Sequence, residues 1–315
     1  MRRKALFAAA LLLSALAAWL FLGRSREWDS SFDTRVAAPA FRGDGPVVLF
    51  DEGHRNVHEA DGAYRPFAEL LRNDGCRVRV HRGPLSPDPL RGVSLLVVAG
   101  ARGPNDANDA PAFTDAETGL VEKWVRDGGA LLLVTDHWPF GPAAETLAAR
   151  FGVGMGKGLV EDLARSDPER GASHLVFSVE NGLLADHPIV RGREESERVR
   201  RVVTFTGQSV SGPPGSVALL RLSDSAVEWQ PTPPRVTRDG DDVRVDMVYG
   251  PSVSAKGRAQ AVALEAGKGR VVVLGDAAIL RAQREKGGVR VGMNAPGYDD
   301  RPLALNAARW LLRAL

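Results

Sequence analysis

Short runs of consecutive apolar residues constrain the fold of this chain more than any other feature of its sequence. A strand with one exposed face alternates polar and apolar residues, so an unbroken apolar run predicts a strand buried on both faces, as in a parallel sheet. The runs are PVVLF (46–50), VSLLVVA (93–99), ALLLVT (130–135) and RVVVL (270–274). Acidic residues follow three of them, at Asp51, Asp136 and Asp276.

Segments with helical periodicity lie between these runs. Phe67, Leu70 and Leu71 share one face of a helix predicted near 64–73, and Thr114-Asp115-Ala116-Glu117 is a capping box that begins a second helix. Further helices are predicted over 143–151 and 301–315, and a strand over 76–81. Strands that alternate with helices predict an α/β fold, a doubly wound parallel sheet with right-handed crossovers.

The middle of the chain departs from this pattern. Between about 152 and 257, short β-like runs are separated by Gly, Pro and Asp clusters, and no helix of three turns is predicted. This composition indicates a β-rich insertion in the α/β domain. The residues after it, 259–265 and 270–274, flank Gly267-Lys268-Gly269 and predict a hairpin.

The amino-terminal segment predicts a membrane anchor. A basic start, Arg2-Arg3-Lys4, precedes an uncharged run from Ala5 to Gly23, which is nearly long enough to cross a bilayer core of roughly 30 Å. We therefore expect one transmembrane helix within 1–26, in the bacterial cytoplasmic membrane. The basic start favours a cytoplasmic amino terminus and an extracytoplasmic, periplasmic domain. A signal peptide cleaved after Ala17 is the alternative.

Composition defines the rest of the domain organisation and excludes several classes of site. A polar segment, 27–45, predicts a linker, and 46–315 then forms the α/β domain. Cys76 is the one cysteine among 315 residues, which excludes an intrachain disulfide and a cysteine-cluster metal site. The net charge is only +2, so we expect no nucleic-acid partner.

Acidic and imidazole side chains follow the predicted strands. Because ligands bind at the carboxyl ends of parallel strands, we expect these side chains to lie at one edge of the sheet. The ligand-binding candidates are Asp51, His54, His58, Asp276 and Asn294, the last from a loop that closes over the same edge.

Acid–base chemistry is assigned to three residues of this edge, Asp136, His137 and Glu52, because carboxylates brought together raise one another's pKa towards the working range. We expect no cofactor. A divalent metal bound by Asp51, His54 and Asp136 is the alternative, since carboxylates and neutral imidazoles are its usual ligands. The structural alternative is that Asp51 and Asp136 bind loop backbone.

Two other motifs fail on closer inspection. A phosphate-binding loop is suggested by Gly152, Gly154, Gly156 and Gly158. These glycines follow a helix, however, and their spacing matches neither the dinucleotide-binding fingerprint nor the P-loop, so we expect a turn there. The segment 207–211 (GQSVS) lacks the final glycine of a nucleophile elbow.

Four segments carry a family resemblance. The segments DEGHRNVHEADGAYRPFAELLRNDG, GGALLLVTDHWPFGPAAETLAARFGV, RVRRVVTFTGQSV and LGDAAILRAQ…GMNAPGYDDRPLALNAARWL resemble a bacterial domain-of-unknown-function family. That family is similar to class I glutamine amidotransferase-like domains, which include accessory domains of gliding-motility ABC transporters and the amino-terminal part of an intraflagellar-transport protein. The resemblance implies a flavodoxin-like sheet but no particular reaction.

The sequence departs from true amidotransferases at the nucleophile. Their cysteine follows a strand equivalent to 130–135, where this chain has Asp136 and His137. We therefore expect no glutaminase activity. The first functional hypothesis is a binding or scaffold module that serves a transporter or envelope protein, attached to the membrane by its amino-terminal helix. The alternative is a carboxylate/histidine hydrolase, with or without a metal, at the strand ends.

Overall fold

The computed structural model describes residues 28–104, 110–239, 242–285 and 288–315, with backbone alone for 234–239 and 242–247. The anchor predicted within 1–26 lies outside the described residues. Within the described ranges, no helix is long and apolar enough to cross a membrane.

Sixteen strands and five helices are distributed along the described chain. The strands of the first half are β1 (Val47–Asp51), β2 (Arg77–His81), β3 (Leu95–Ala99), β4 (Ala130–Val134), β5 (Gly154–Met155), β6 (Leu159–Glu161), β7 (Val176–Ser178) and β8 (Arg201–Val203). Those of the second half are β9 (Val210–Ser211), β10 (Val217–Arg221), β11 (Val227–Asp239), β12 (Asp242–Ser254), β13 (Ala259–Ala266), β14 (Gly269–Leu274), β15 (Ala282–Arg284) and β16 (Arg290–Gly292). The helices are α1 (Arg65–Asn73), α2 (Asp115–Arg126), α3 (Phe140–Ala149), α4 (Pro188–Arg191) and α5 (Asp300–Leu311).

The main sheet has the strand order β2-β1-β3-β4-β14-β13-β9-β5, with β10 also paired to β13. The five strands from β2 to β14 are parallel, and β13 is antiparallel to β14. This confirms the α/β fold, the parallel pairing of the apolar runs and the hairpin around Gly267. A mixed sheet replaces the purely parallel sheet because that hairpin turns the chain back beside β14.

The apolar runs are buried on both faces because helices cover the sheet on each side. Side chains alternate along β1, so Val48 and Phe50 join one core cluster while Val47 and Leu49 join the other. Helices α1 and α5 contribute to the first cluster, and α2 and α3 contribute to the second. The strand ends are therefore held in a rigid frame.

Part of the β-rich insertion is built onto this frame. Strands β5, β9 and β10 extend the main sheet, while β6, β11 and β12 form a three-stranded sheet of their own. Beyond its base at 227–229, where β11 pairs with β6, the β11–β12 ribbon continues to 239 and 242.

Residues 28–45, which we call the strap, contain no helix or extended strand but lie against the domain. The partly buried side chains of Phe32, Val36 and Phe41 contact the first core cluster. The Ala40 amide donates a hydrogen bond of 2.8 Å to Asp74 Oδ1. The composition of this segment predicts a linker, whereas these irregularly spaced apolar residues and backbone contacts make it part of the fold.

Candidate functional site

All of the predicted site residues except Asn294 lie at the carboxyl edge of the sheet, most of them in two separate clusters. Asp51 ends β1, while Asp136 follows β4, and β3 lies between these strands. With neighbouring strands about 4.8 Å apart, the two strand ends are separated by about 10 Å. We call the groups around them the β1-end cluster and the β4-end cluster.

A doubly bound histidine forms the centre of the β1-end cluster. His54 Nδ1 lies 2.9 Å from both carboxylate oxygens of Asp51, and Nε2 lies 3.0 Å from Glu117 Oε1. The ring also contacts Phe113, with ring centroids 4.2 Å apart. All three polar side chains are buried.

The electrostatics of this cluster favour an imidazolium between two carboxylates. Burial opposes the charged form of His54, but Asp51 and Glu117 outweigh it and raise the pKa of His54. Burial also opposes the charged form of Glu117, yet hydrogen bonds from Thr114, Leu85 and His54 lower its pKa to about 2. A metal needs a free imidazole lone pair, so His54 does not fit the ligand role considered from the sequence.

Glu52 and His58 are held by their own neighbours. Glu52 Oε1 accepts a hydrogen bond of 2.9 Å from the Ala60 amide, and Oε2 lies 2.9 Å from Arg82 Nη2. His58 stacks on Tyr64 with ring centroids 4.7 Å apart, and its burial holds its pKa well below the usual value. The sequence suggested an acid–base role for Glu52, but both of its carboxylate oxygens contact groups of the surrounding loops.

Two carboxylates, that of buried Asp276 and that of partly buried Asp136, define the β4-end cluster. Asp136 accepts hydrogen bonds from the amides of His137, at 2.8 Å, and Ala277, at 3.2 Å. Asp276 accepts them from the amides of Ile279, at 3.0 Å, and Phe205. Burial raises the pKa of both carboxyl groups to about 7, and the charge of Asp136 adds to the rise at Asp276. Each carboxylate thus fastens a loop to a strand end.

His137 connects this cluster to the β11–β12 ribbon. Its Nδ1 lies 2.9 Å from the Trp138 carbonyl oxygen and 2.8 Å from the Tyr249 hydroxyl, while Nε2 lies 3.6 Å from Asp136 Oδ1. Burial lowers the pKa of His137, which favours the neutral ring at neutral pH. Tyr249 is 112 residues from His137, so no local sequence signal pointed to this contact.

Sequence reasoning considered 207–211 only as a nucleophile elbow and did not predict that this segment crosses the end of β14, where the Gln208 amide binds the Gly275 carbonyl at 2.8 Å. Thr206 has φ of 72°, a strained conformation for a β-branched residue. Beside it, Gln208 Oε1 accepts a hydrogen bond of 2.7 Å from the Lys157 amide, and Nε2 donates one of 3.3 Å to Thr135 Oγ1. Tyr64 donates a hydrogen bond of 2.7 Å to the Ala277 carbonyl. The chain's own side chains therefore fill this part of the strand edge.

Asn294 is placed elsewhere. Its amide nitrogen donates hydrogen bonds to Asp29 Oδ2, at 3.1 Å, and to the Gln283 carbonyl, at 3.2 Å. It lines a depression of about 330 Å³ beside the strap rather than the edge where the loop was expected to close.

The described residues offer no arrangement suited to a metal. No group of three His, Cys, Asp or Glu side chains within the described ranges has the geometry to hold one. The set considered from the sequence, Asp51, His54 and Asp136, is divided between the two clusters. Cys76 is buried, and burial raises the pKa of its thiol to about 12, which leaves it protonated and unreactive.

Comparison of the sequence with family models and with curated proteins finds no match. Among solved structures, the chain is similar to one described as the mmIFT52 N-terminal domain, at 16% identity over 84% of this chain and 97% of that one, with a TM-score of 0.59.

Two further similarities are weaker. A cytoplasmic protein from Salmonella typhimurium matches at 14% identity over 84% of this chain and 98% of that one, with a TM-score of 0.45. A glutamine amidotransferase from Thermotoga maritima matches at 15% identity over 76% of this chain and 78% of that one, with a TM-score of 0.40. The similarity to the mmIFT52 domain concerns the fold alone, because one fold serves many functions.

Proposed function

We propose that this chain is a membrane-anchored, extracytoplasmic binding or scaffold module on a class I glutamine amidotransferase-like fold, without the nucleophile of those enzymes. Its partner is an envelope or transporter protein, and nucleic acid is not a partner. We propose further that the chain is a member of the bacterial domain-of-unknown-function family that its sequence resembles. The strand order β2-β1-β3-β4-β14 supports the proposed fold, since flavodoxin-like folds share that order.

One observation carries the proposal: the polar side chains at the strand ends are occupied with holding the chain's own backbone. Asp136, Asp276 and Glu52 each accept hydrogen bonds from backbone amides. His54 is bound at both ring nitrogens by carboxylates. A catalytic group instead needs an atom directed at a substrate. The side chains of this edge thus have a structural role within the domain, which supports a non-catalytic module.

Site-specific photocrosslinking in cells tests the binding role. A photoreactive residue would replace Leu163 or Val253, exposed apolar side chains with 84% and 50% of their surface accessible. A discrete envelope-protein adduct at either position supports the proposal. Arg35, exposed at 88% and paired with Asp33, serves as a polar control position. If neither Leu163 nor Val253 gave an adduct, a stable partner bound near these two residues would be contradicted.

A hydrolase that uses Asp136 and His137 is the second candidate. The observation in its favour is the pKa of about 7 at Asp136, which burial raises into the range of a general acid or base. His137, favoured in the neutral form, lies beside this carboxyl. In this reading, Asp136 exchanges the proton and His137 orients the substrate.

Hydrolysis assays distinguish the two candidates. The full chain, Asp136→Asn and His137→Gln would be compared on glutamine and on ester, phosphoester, glycoside and peptide substrates. The scaffold proposal expects no turnover above buffer for any of the three proteins. Turnover by the full chain that Asp136→Asn abolishes would overturn the scaffold proposal, and unchanged turnover after EDTA would exclude the metal-dependent version.

A further inference from the structure

The strap leaves little free chain between the proposed anchor and the domain. The apolar run ends at Gly23, and Trp28 already pairs with Gln283 of β15. The amide of the next residue, Asp29, donates a hydrogen bond of 2.7 Å to the Ala282 carbonyl. Four residues separate Gly23 from Trp28, and they can span about 14 to 18 Å when fully extended. One headgroup layer is about 7 Å thick, so Trp28 lies no more than about 11 Å beyond it.

The surface around Trp28 combines aromatic, cationic and exposed apolar side chains. We define the Trp28 surface by Trp28, Arg65, Arg284, Val289 and Arg290. The Arg65 guanidinium lies over the Trp28 ring, 4.7 Å from its centroid. Arg284 and Arg290 belong to the β15–β16 hairpin that pairs with Trp28. Val289, beside Arg290, exposes 44% of its surface.

Three acidic residues lie beside the three arginines: Asp29, Glu69 and Glu285, the last in the turn of the β15–β16 hairpin, where burial raises the pKa of its carboxyl group. Asp29 is buried and lies 3.4 Å from Arg284 and 3.7 Å from Arg290, so one carboxylate faces two guanidinium groups. Arg65 pairs with Glu69. The three arginines Arg65, Arg284 and Arg290 are about half exposed, at 47%, 48% and 47%.

An adjoining depression of about 330 Å³ also carries mixed charge. Arg290 and Arg301 line it together with Asp29 and Asp33. Asp29 is buried beneath the arginines, whereas Asp33 is held by Arg35. Exposed guanidinium groups beside this concavity can form paired hydrogen bonds with phosphate oxygens.

We propose that the Trp28 surface rests on the membrane and binds anionic lipid headgroups. This rests on the anchoring part of the proposed function. Tryptophan favours the membrane–water interface, each arginine near an anionic surface is attracted to it, and Val289 enters the headgroup layer. The domain is then held in one orientation against the bilayer and does not swing on a flexible tether.

Fluorescence quenching in vesicles tests this contact. The full chain would be reconstituted into neutral vesicles and into vesicles with about one-third phosphatidylglycerol, and an environment-sensitive maleimide would be attached at Val289→Cys. Val253→Cys is the matched control, because Val253 is similarly exposed and lies on the separate β6–β11–β12 sheet. The native Cys76 thiol is buried and does not compete for the label.

Headgroup-attached quenchers should quench the label at position 289 about twofold or more relative to that at 253, more strongly with phosphatidylglycerol and less at high salt. Vesicle flotation is measured in parallel. A chain that floats but shows equal quenching at both positions overturns the headgroup contact and leaves the anchor intact. A chain that does not float overturns both. Disulfide-linked dimers of Val289→Cys would assign the surface to a second copy and overturn the lipid proposal.

Discussion

At the scale of single residues, His54 shows how a residue expected to bind a ligand instead neutralises buried charge. Its ring lies between Asp51 and Glu117, with nitrogen–oxygen distances of 2.9 and 3.0 Å. Removing one partner of a buried ion pair leaves the other charge uncompensated. We predict that His54→Ala lowers the free energy of unfolding by about 3 kcal/mol, as measured by urea denaturation.

His81→Ala is the matched control for this prediction. The His81 ring makes one hydrogen bond, of 2.9 Å, to the Pro84 carbonyl at the protein surface. Its loss should change stability by less than about 1 kcal/mol. If His54→Ala had an equally small effect, an imidazolium between the carboxylates would not be part of the native structure.

The pH dependence of Asp276 is a second prediction at this scale. Its pKa of about 7 in the folded protein is above the ordinary value of 3.8, so folding favours the protonated carboxyl. That stabilisation is complete below the unfolded pKa and is lost as the pH rises through the folded pKa. We predict that Asp276→Asn, which does not titrate, gains stability relative to the native chain between about pH 5 and about pH 8.

The measurement is urea denaturation of both proteins across that range. Taking the difference between them removes the contributions of the buried histidines that titrate in both. The difference should change by at most about 1.4 kcal/mol per pH unit. A difference independent of pH would mean that the Asp276 carboxyl ionises normally in the folded protein.

At the scale of structural elements, the close approach of neighbouring atoms accounts for the glycines at 154, 156 and 158, and a positive φ of 71° accounts for Gly152. A Cβ at Gly156 would lie 2.2 Å from both Glu228 carboxylate oxygens and 2.3 Å from Ser209 Oγ. Glu228 itself is buried and accepts hydrogen bonds from Gly158 and Ser209. We predict that Gly156→Ala destabilises the protein by about 2 kcal/mol, since it displaces a satisfied buried carboxylate.

Gly119→Ala is the matched substitution. Gly119 lies inside α2, where an added Cβ has no neighbour within 4 Å. Alanine has the higher helix propensity, so this change should stabilise the protein by about 0.5 to 1 kcal/mol. Thermal unfolding of both variants checks the pair. If both substitutions shifted the unfolding temperature equally and in the same direction, the space around the added Cβ would not determine their effect on stability.

Local patterns predicted the elements of this fold better than the site. The apolar run 130–135 indicated β4, and the capping box at Thr114 and Glu117 is present at the start of α2. The same Glu117 also binds His54 and the Leu85 amide. No local pattern encodes those contacts, because they join residues 63 and 32 positions apart.

At the scale of the whole molecule, long-range polar contacts decide which segments belong to the domain. Arg309 on α5 binds Asp74 beyond α1 through two hydrogen bonds, of 2.9 and 2.6 Å, and Glu197 through one of 2.7 Å. It also donates to the Ala38 carbonyl of the strap at 3.1 Å. Composition alone predicted a linker at 27–45. The contacts that hold this segment join residues hundreds of positions apart, so they leave no signal in the local sequence.

The Arg309 guanidinium binds the Asp74 carboxylate and the Ala38 carbonyl at the same time. Lysine keeps the charge at position 309 but lacks the planar fork that binds Asp74 and Ala38 together. Asp74 in turn accepts a hydrogen bond of 2.8 Å from the Ala40 amide at Oδ1 and one of 3.0 Å from the Phe41 amide at its backbone carbonyl oxygen. We therefore predict that Arg309→Lys accelerates hydrogen exchange of the Ala40 and Phe41 amides by about tenfold, the equivalent of about 1.4 kcal/mol.

The exchange of β4 amides serves as an internal reference, because β4 lies in the centre of the main sheet. Arg35→Ala serves as the control variant, since Arg35 belongs to the strap but is 88% exposed and pairs only locally with Asp33. It should leave both sets of amides unchanged. If Arg309→Lys accelerated the strap and β4 equally, the strap would open only with global unfolding. Faster exchange confined to the strap would identify Arg309 as the residue that holds this segment to the domain.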